Sequence, residues 1–165
     1  MRQTYPSARI VLVLLLLAVP ALAHAQAAGS APGLLDVTRA GFTEVADWIV
    51  RAAESVPEAR YGYRPTHGVR TFGELVGHVA DGNNYYCARA AGTDQDWTDT
   101  VALSGAGKTE LLAQLKRSIA TCTAAHTAAN AARGAPLLAN YGHASLHYGN
   151  IVTYLRMLGI TPPSS

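Results

Sequence analysis

Four stretches of this sequence repeat apolar side chains at intervals of three and four residues, and each one ends at glycine or proline. That period belongs to helices with one buried face; a half-buried strand would alternate every second residue, and no stretch does so convincingly. The first stretch runs from about Leu35 to Ser55, with Phe42, Val45, Ala46, Ile49 and Ala53 on one face and Pro57 closing it. The second opens with Thr71 and has Glu74 three residues on, the signature of a capping box. It carries Leu75, Val76, Val79, Gly82 and Tyr86 to a stop near Ala91–Gly92. The third, Lys108 to about Ala132, aligns Leu112, Leu115, Ile119, Cys122, His126 and Ala129 before Gly134 and Pro136 break it. The fourth, about Leu137 to Leu158, ends at Gly159 with Pro162 and Pro163 beyond. Four helices with one stripe each to bury pack most economically as an all-α four-helix bundle, expected here over residues 34–165.

Ahead of the bundle, Ile10 to Val19 is almost entirely aliphatic, follows Arg2 and Arg9, and leads into Ala-Leu-Ala-His-Ala-Gln-Ala at 21–27. A basic start, a short apolar run and small residues at alternate positions describe a secretory signal peptide, residues 1–25, cleaved near 23–27. The run is shorter than the roughly 20 residues a spanning helix needs, so no stable membrane anchor is expected after cleavage. The first cysteine is Cys87, which excludes a lipid anchor at the cleavage region. The expected localisation is export, to a bacterial periplasm. Charge then becomes informative. The chain has 13 Lys+Arg against 11 Asp+Glu, and loss of Arg2 and Arg9 leaves the two signs balanced. A neutral domain does not present the basic surface that nucleic acid requires. Ser104-Gly105-Ala106-Gly107-Lys108-Thr109 resembles a phosphate loop, but Ala102 stands at the motif's first glycine and no strand precedes it, so it reads as a helix start.

Among the six histidines, His24 lies at the cleavage region and His67 in a Pro/Gly loop, where solvation is the expected state. His143 and His147 are different. A four-residue spacing stacks two imidazoles on one helix face, from which one helix can supply two metal ligands. They fall in a series with Asn150, Ile151, Tyr154 and Leu158, so both are expected to point with the core-facing stripe. Two unpartnered imidazoles buried together would be costly, and a shared metal removes that cost. A third ligand should come from another helix. His78 lies beside the apolar stripe of the second helix, and His126 lies on that of the third; spacing leaves both open.

The run Thr-Phe-Gly-Glu-Leu-Val-Gly-His78-Val-Ala-Asp, followed by His143-x-x-x-His147-Tyr-Gly-Asn-Ile-Val-Thr-Tyr-Leu-Arg-Met-Leu-Gly-Ile-Thr-Pro-Pro, resembles the DinB family of the DinB/YfiT-like superfamily of candidate metalloenzymes. The likeness covers the mature chain helix by helix, and its C-terminal string is similar to an exported branch. It implies a four-helix bundle holding a divalent metal through three histidines, at positions matching His78, His143 and His147. Zinc, nickel and iron are the candidate ions. The chain departs from the resemblance between the last two ligands, where Ser145-Leu146 replaces the polar pair expected there and leaves the turn without a catalytic acid or base.

Three neutral imidazoles leave a divalent ion open to water or substrate, whose acidity it raises. A small-molecule substrate follows, with a thiol among the candidates, and the reaction is a thiol-dependent transfer or a hydrolysis. Tyr85, Tyr141, Tyr148 and Asn150 are candidates to orient ligands or substrate, and Asp81 to hold His78 through its second nitrogen; each is equally a packing or capping candidate. The other class is a non-catalytic, metal-stabilised bundle acting as a binding or stress-related interaction module. The resemblance extends to homodimer formation. Cys87 and Cys122, a lone pair in an oxidising compartment, are expected to form a disulfide; related exported sequences resemble this one in carrying both. A reduced buried pair is the alternative. A thiolate near the metal is excluded because Cys87 and His78 point to opposite sides of their helix.

Overall fold

The computed structural model describes residues 32–165; the expected signal peptide, its cleavage region and His24 lie outside the described residues. Four helices account for most of what is described: α1, Leu34–Ser55; α2, Phe72–Ala91; α3, Lys108–Ala128; and α4, Gly134–Met157. Single 3-10 turns occupy Glu58–Arg60 and Ala131–Arg133, and no strand occurs among the described residues. The fold is an all-α four-helix bundle. No helix among the described residues is long and apolar enough to cross a membrane.

Helix α2 packs on α3 and α4, and α1 packs on the same two, so the order around the bundle is α1–α3–α2–α4. Phe42, Ile49, Phe72, Leu115, Leu137, Ile151 and Leu155 are fully buried along the axis. The capping box forms at the start of α2: the Glu74 amide donates to Thr71 Oγ1 at 3.1 Å, and the Thr71 amide donates to Glu74 Oε2 at 2.6 Å. Two amide donors that the helix leaves unpaired are thereby satisfied.

Three buried faces differ from the expected stripes. In α2 residues 75–83 are buried without a break, and Tyr86 is half-buried. In α3 the buried series is Leu111, Leu115, Ser118, Cys122 and His126, while Leu112 and Ile119 are half-buried. A serine tolerates that face because Asn83 Nδ2 donates to its hydroxyl at 3.1 Å and the hydroxyl donates to the Leu115 carbonyl at 2.8 Å. In α4 the buried series is Leu137, Asn140, Ala144, Tyr148, Ile151, Tyr154 and Leu155. His143 and His147 therefore sit at the edge of the buried face, half-buried, and Asn150 is exposed. The boundary between α3 and α4 also moves. Asn130 caps the 3-10 turn by accepting from the Ala132 amide, and Pro136 falls in the first turn of α4, where its missing N–H costs nothing.

Candidate metal centre

The site lies where α2 and α4 face each other, and glycine makes it possible. A Cβ on Gly82 would land inside the imidazole of His143, meeting Cε1, Nδ1 and Nε2. Helices disfavour glycine by about 1 kcal/mol relative to alanine; here the missing methyl is the space that the ring occupies. His147, one turn further along α4, completes the α4 contribution, and His78 on α2 reaches both. One ring nitrogen from each of His78, His143 and His147 lies within 4.8 Å of the other two. The Nε2 atoms of His78 and His143 are 3.3 Å apart. Nitrogens about 2.0–2.1 Å from a tetrahedral zinc stand about 3.3–3.4 Å from each other, so the separation suits two ligands of one ion. His143 Nδ1 is buried with no hydrogen-bond partner. The three residues form a cluster able to chelate a divalent metal.

His126 is elsewhere. It is buried on α3, stacked on Phe42 with ring centroids 4.8 Å apart, and neither ring nitrogen has a partner. Burial first, and then the nearby Arg39 charge, holds it below the ordinary histidine pKa. Because α3 stands diagonally across the bundle from α4, a side chain on its inner face meets α1 and α2 instead.

The loop between α2 and α3 supplies two side chains that the sequence did not single out for the site. Asp99 Oδ1 lies 2.8 Å from His78 Nδ1, and Asp99 Oδ2 accepts from Arg70 Nη2 at 3.2 Å. The hydrogen bond with His78, assisted by Arg70, holds the Asp99 carboxyl below the usual carboxylate range against the opposing effect of burial. Trp97 covers the cluster, its ring 5.3 Å from that of His78 and 5.4 Å from that of His143. Nothing in the spacing of a loop predicts such contacts; the only sequence signal was the run of acids at Asp94, Asp96 and Asp99.

Of the residues expected to orient ligands, Asn150 reaches a histidine directly and Tyr85 only through Trp97. The Asn150 amide nitrogen stands 3.2 Å from His147 Nδ1. Tyr85 packs on Trp97 at 5.3 Å, and Tyr86 joins them, 5.6 Å from His143. Asp81 does not hold His78: its buried carboxylate accepts from the Val101 and Ala102 amides, each at 2.9 Å. It seats the loop, and Gly77 lets the backbone of Ala102 lie directly on α2. Tyr141 packs over Gly41 on α1, and Tyr148 stacks on Trp48 while its hydroxyl donates to Ser164. Cys87 and Cys122 form a disulfide between α2 and α3, with Cα atoms 5.2 Å apart.

Burial pushes His143 down to about 3 and His147 down to about 4, with the neighbouring histidines and Arg70 acting in the same direction. In the unfolded chain the same groups take up protons near pH 6.5. Between that pH and the folded values the unfolded state binds more protons, so stability falls as pH falls. The metal-free protein should lose thermal stability steadily between pH 6.5 and 4, and a His143→Ala/His147→Ala double variant should lose less over the same interval. Calorimetry at matched ionic strength checks this; parallel slopes for the two proteins would contradict it.

A family model described as the DinB superfamily matches residues 42–161. No curated protein and no solved structure matches the chain.

Proposed function

The chain belongs to the DinB superfamily, and from that premise we propose that it is an exported, periplasmic, metal-dependent enzyme, a thiol-dependent transferase or a hydrolase acting on a small molecule. The observation that carries this reading is the convergence of His78, His143 and His147 at the open edge of the bundle. These residues would hold zinc, nickel or iron. When bound, such an ion supplies Lewis acidity to whatever water or thiol completes its coordination.

The chain's own side chains provide the rest. Low pKa values keep His143 and His147 neutral, the only state in which imidazole can ligate. Trp97, Tyr85 and Tyr86 shield one side of the cluster from water and offer ring faces against which a substrate can be held. Asn150 orients His147. The Cys87–Cys122 bridge supports export, since such bonds persist in oxidising compartments.

One observation favours the alternative, a non-catalytic bundle in which the metal stabilises an interaction module. The turn between the two α4 ligands offers no acid or base: Ser145 donates to the Tyr141 carbonyl and Leu146 is exposed. Two measurements separate the readings. Purified protein should contain stoichiometric metal, retained in His126→Ala. Turnover against a panel of thiols and electrophiles should disappear on chelation and return with the ion. Stoichiometric metal with no turnover would favour the interaction module, and activity unchanged in the chelated protein would reject a catalytic metal.

A further inference from the structure

We propose that Asp99, held in place by Arg70, is a positioning residue that fixes the tautomer of His78: Nδ1 carries the proton, and the Nε2 lone pair is turned toward His143 and His147. The consequence for metal affinity rests on the reading of the cluster as a metal centre. The tautomer is a property of the metal-free protein and is tested independently of that reading.

A carboxylate only accepts hydrogen bonds. With Asp99 Oδ1 2.8 Å from His78 Nδ1, that nitrogen must donate, and Nε2 is left with its lone pair 3.3 Å from His143 Nε2. The carboxylate has little freedom to move away. Its other oxygen accepts from Arg70, whose backbone carbonyl is fixed by the Tyr154 hydroxyl at 2.7 Å. Two residues along the loop, Val101 and Ala102 are tied to α2 by Asp81, and Gly77 lets that backbone approach closely. His78 is only 8% exposed and Trp97 packs beside it, so water does not readily take the place of the acid.

The arrangement makes an isosteric change more harmful than a truncation. In Asp99→Asn, Arg70 can only donate, so it claims the amide oxygen and turns the amide NH2 toward His78. Nδ1 must then accept, the proton moves to Nε2, and the lone pair aimed at the cluster is lost. In Asp99→Ala the ring is free to populate both tautomers. Long-range proton–nitrogen correlation spectra of the metal-free, histidine-labelled proteins at pH 8 read this directly. The expected results are Nδ1–H for the parent protein, a mixture for Asp99→Ala, and Nε2–H for Asp99→Asn. Zinc titration should follow the same order, roughly 10–100-fold weaker for Asp99→Ala, as for partners of other metal-binding histidines, and weaker again for Asp99→Asn. Adding Arg70→Met to Asp99→Asn frees the amide to present its oxygen and should recover both the Nδ1–H signal and part of the affinity. An Asp99→Asn protein that keeps the Nδ1–H tautomer, or binds zinc like the parent, overturns the proposal. If no protein binds zinc, the metal reading fails and the spectra still decide the tautomer.

Discussion

Alanine at Gly82 should empty the metal centre as completely as alanine at His143, although Gly82 carries no donor atom. The added methyl falls within the ring of His143, against α2 backbone that is packed on both α3 and α4. The flexible partner is the imidazole, so the ring swings out and its Nε2 leaves the position opposite His78. The helix itself gains about 1 kcal/mol of intrinsic propensity from the same change, so helical content and the metal-free melting temperature should hold. Zinc affinity measured by chelator competition should fall at least 100-fold in Gly82→Ala, His143→Ala and His147→Ala alike. In the parent protein, zinc at roughly 1,000 times its dissociation constant should add about 4 kcal/mol of stability, or roughly 10–20 °C in melting temperature for a domain of this size. That increment should vanish in all three variants. Parent-like zinc affinity in Gly82→Ala would mean that His143 ligates from a different rotamer or not at all.

Opening the Cys87–Cys122 bridge should have the largest effect on the fold itself. The bond closes a sequence separation of 35 residues. Loop-closure entropy places the stabilisation at roughly 3–4 kcal/mol, realised by constraining the unfolded chain. Both cysteines are buried, at 1% and 0% exposure, so reduction also leaves two thiols in a core shaped for a bond. A Cys87→Ala/Cys122→Ala variant should melt roughly 10–20 °C lower than the oxidised parent, with a similar loss on full reduction. Mass spectrometry of native, non-reduced protein should find no alkylatable thiol. Two free thiols, or a reduced protein that melts with the oxidised one, would refute the bridge's role.

The face of α1 was legible because apolar residues there follow one uninterrupted period: Phe42, Val45, Ala46, Ile49 and Ala53 are all buried. On α2 the cap was legible, since Thr71 and Glu74 close it as their spacing predicts, but the stripe was not, because residues 75–83 are buried without a break. On α4 the histidines formed one regular series and Leu137, Ala144, Tyr148 and Leu155 another, offset around the helix. The second is the buried one. The two series share Ile151 and Tyr154, so periodicity alone could not separate them. Spacing alone could not choose between His78 and His126, since both side chains point inward; only the family resemblance pointed to His78. What separates them is helix order, with α2 beside α4 and α3 diagonal to it. Asp99 and Trp97 were illegible for a third reason: a loop has no period, and their positions follow from Asp81 and Gly77 holding its backbone on α2.

The helix order around the bundle also governs how the centre assembles in time. His143 and His147 belong to neighbouring turns of one helix and meet as soon as that helix forms. His78 is 65 residues from His143 along the chain and joins only when α2 docks against α4. Contacts of such long sequence separation form late, because the closure entropy is lost before the contact is gained. A chain in which α4 has formed and α2 has not yet docked would therefore offer a two-histidine half-site. A divalent ion supplied during folding would meet that half-site first and would stabilise incomplete states as well as the native one. Its net contribution to stability would then be smaller than the affinity of the finished centre alone implies.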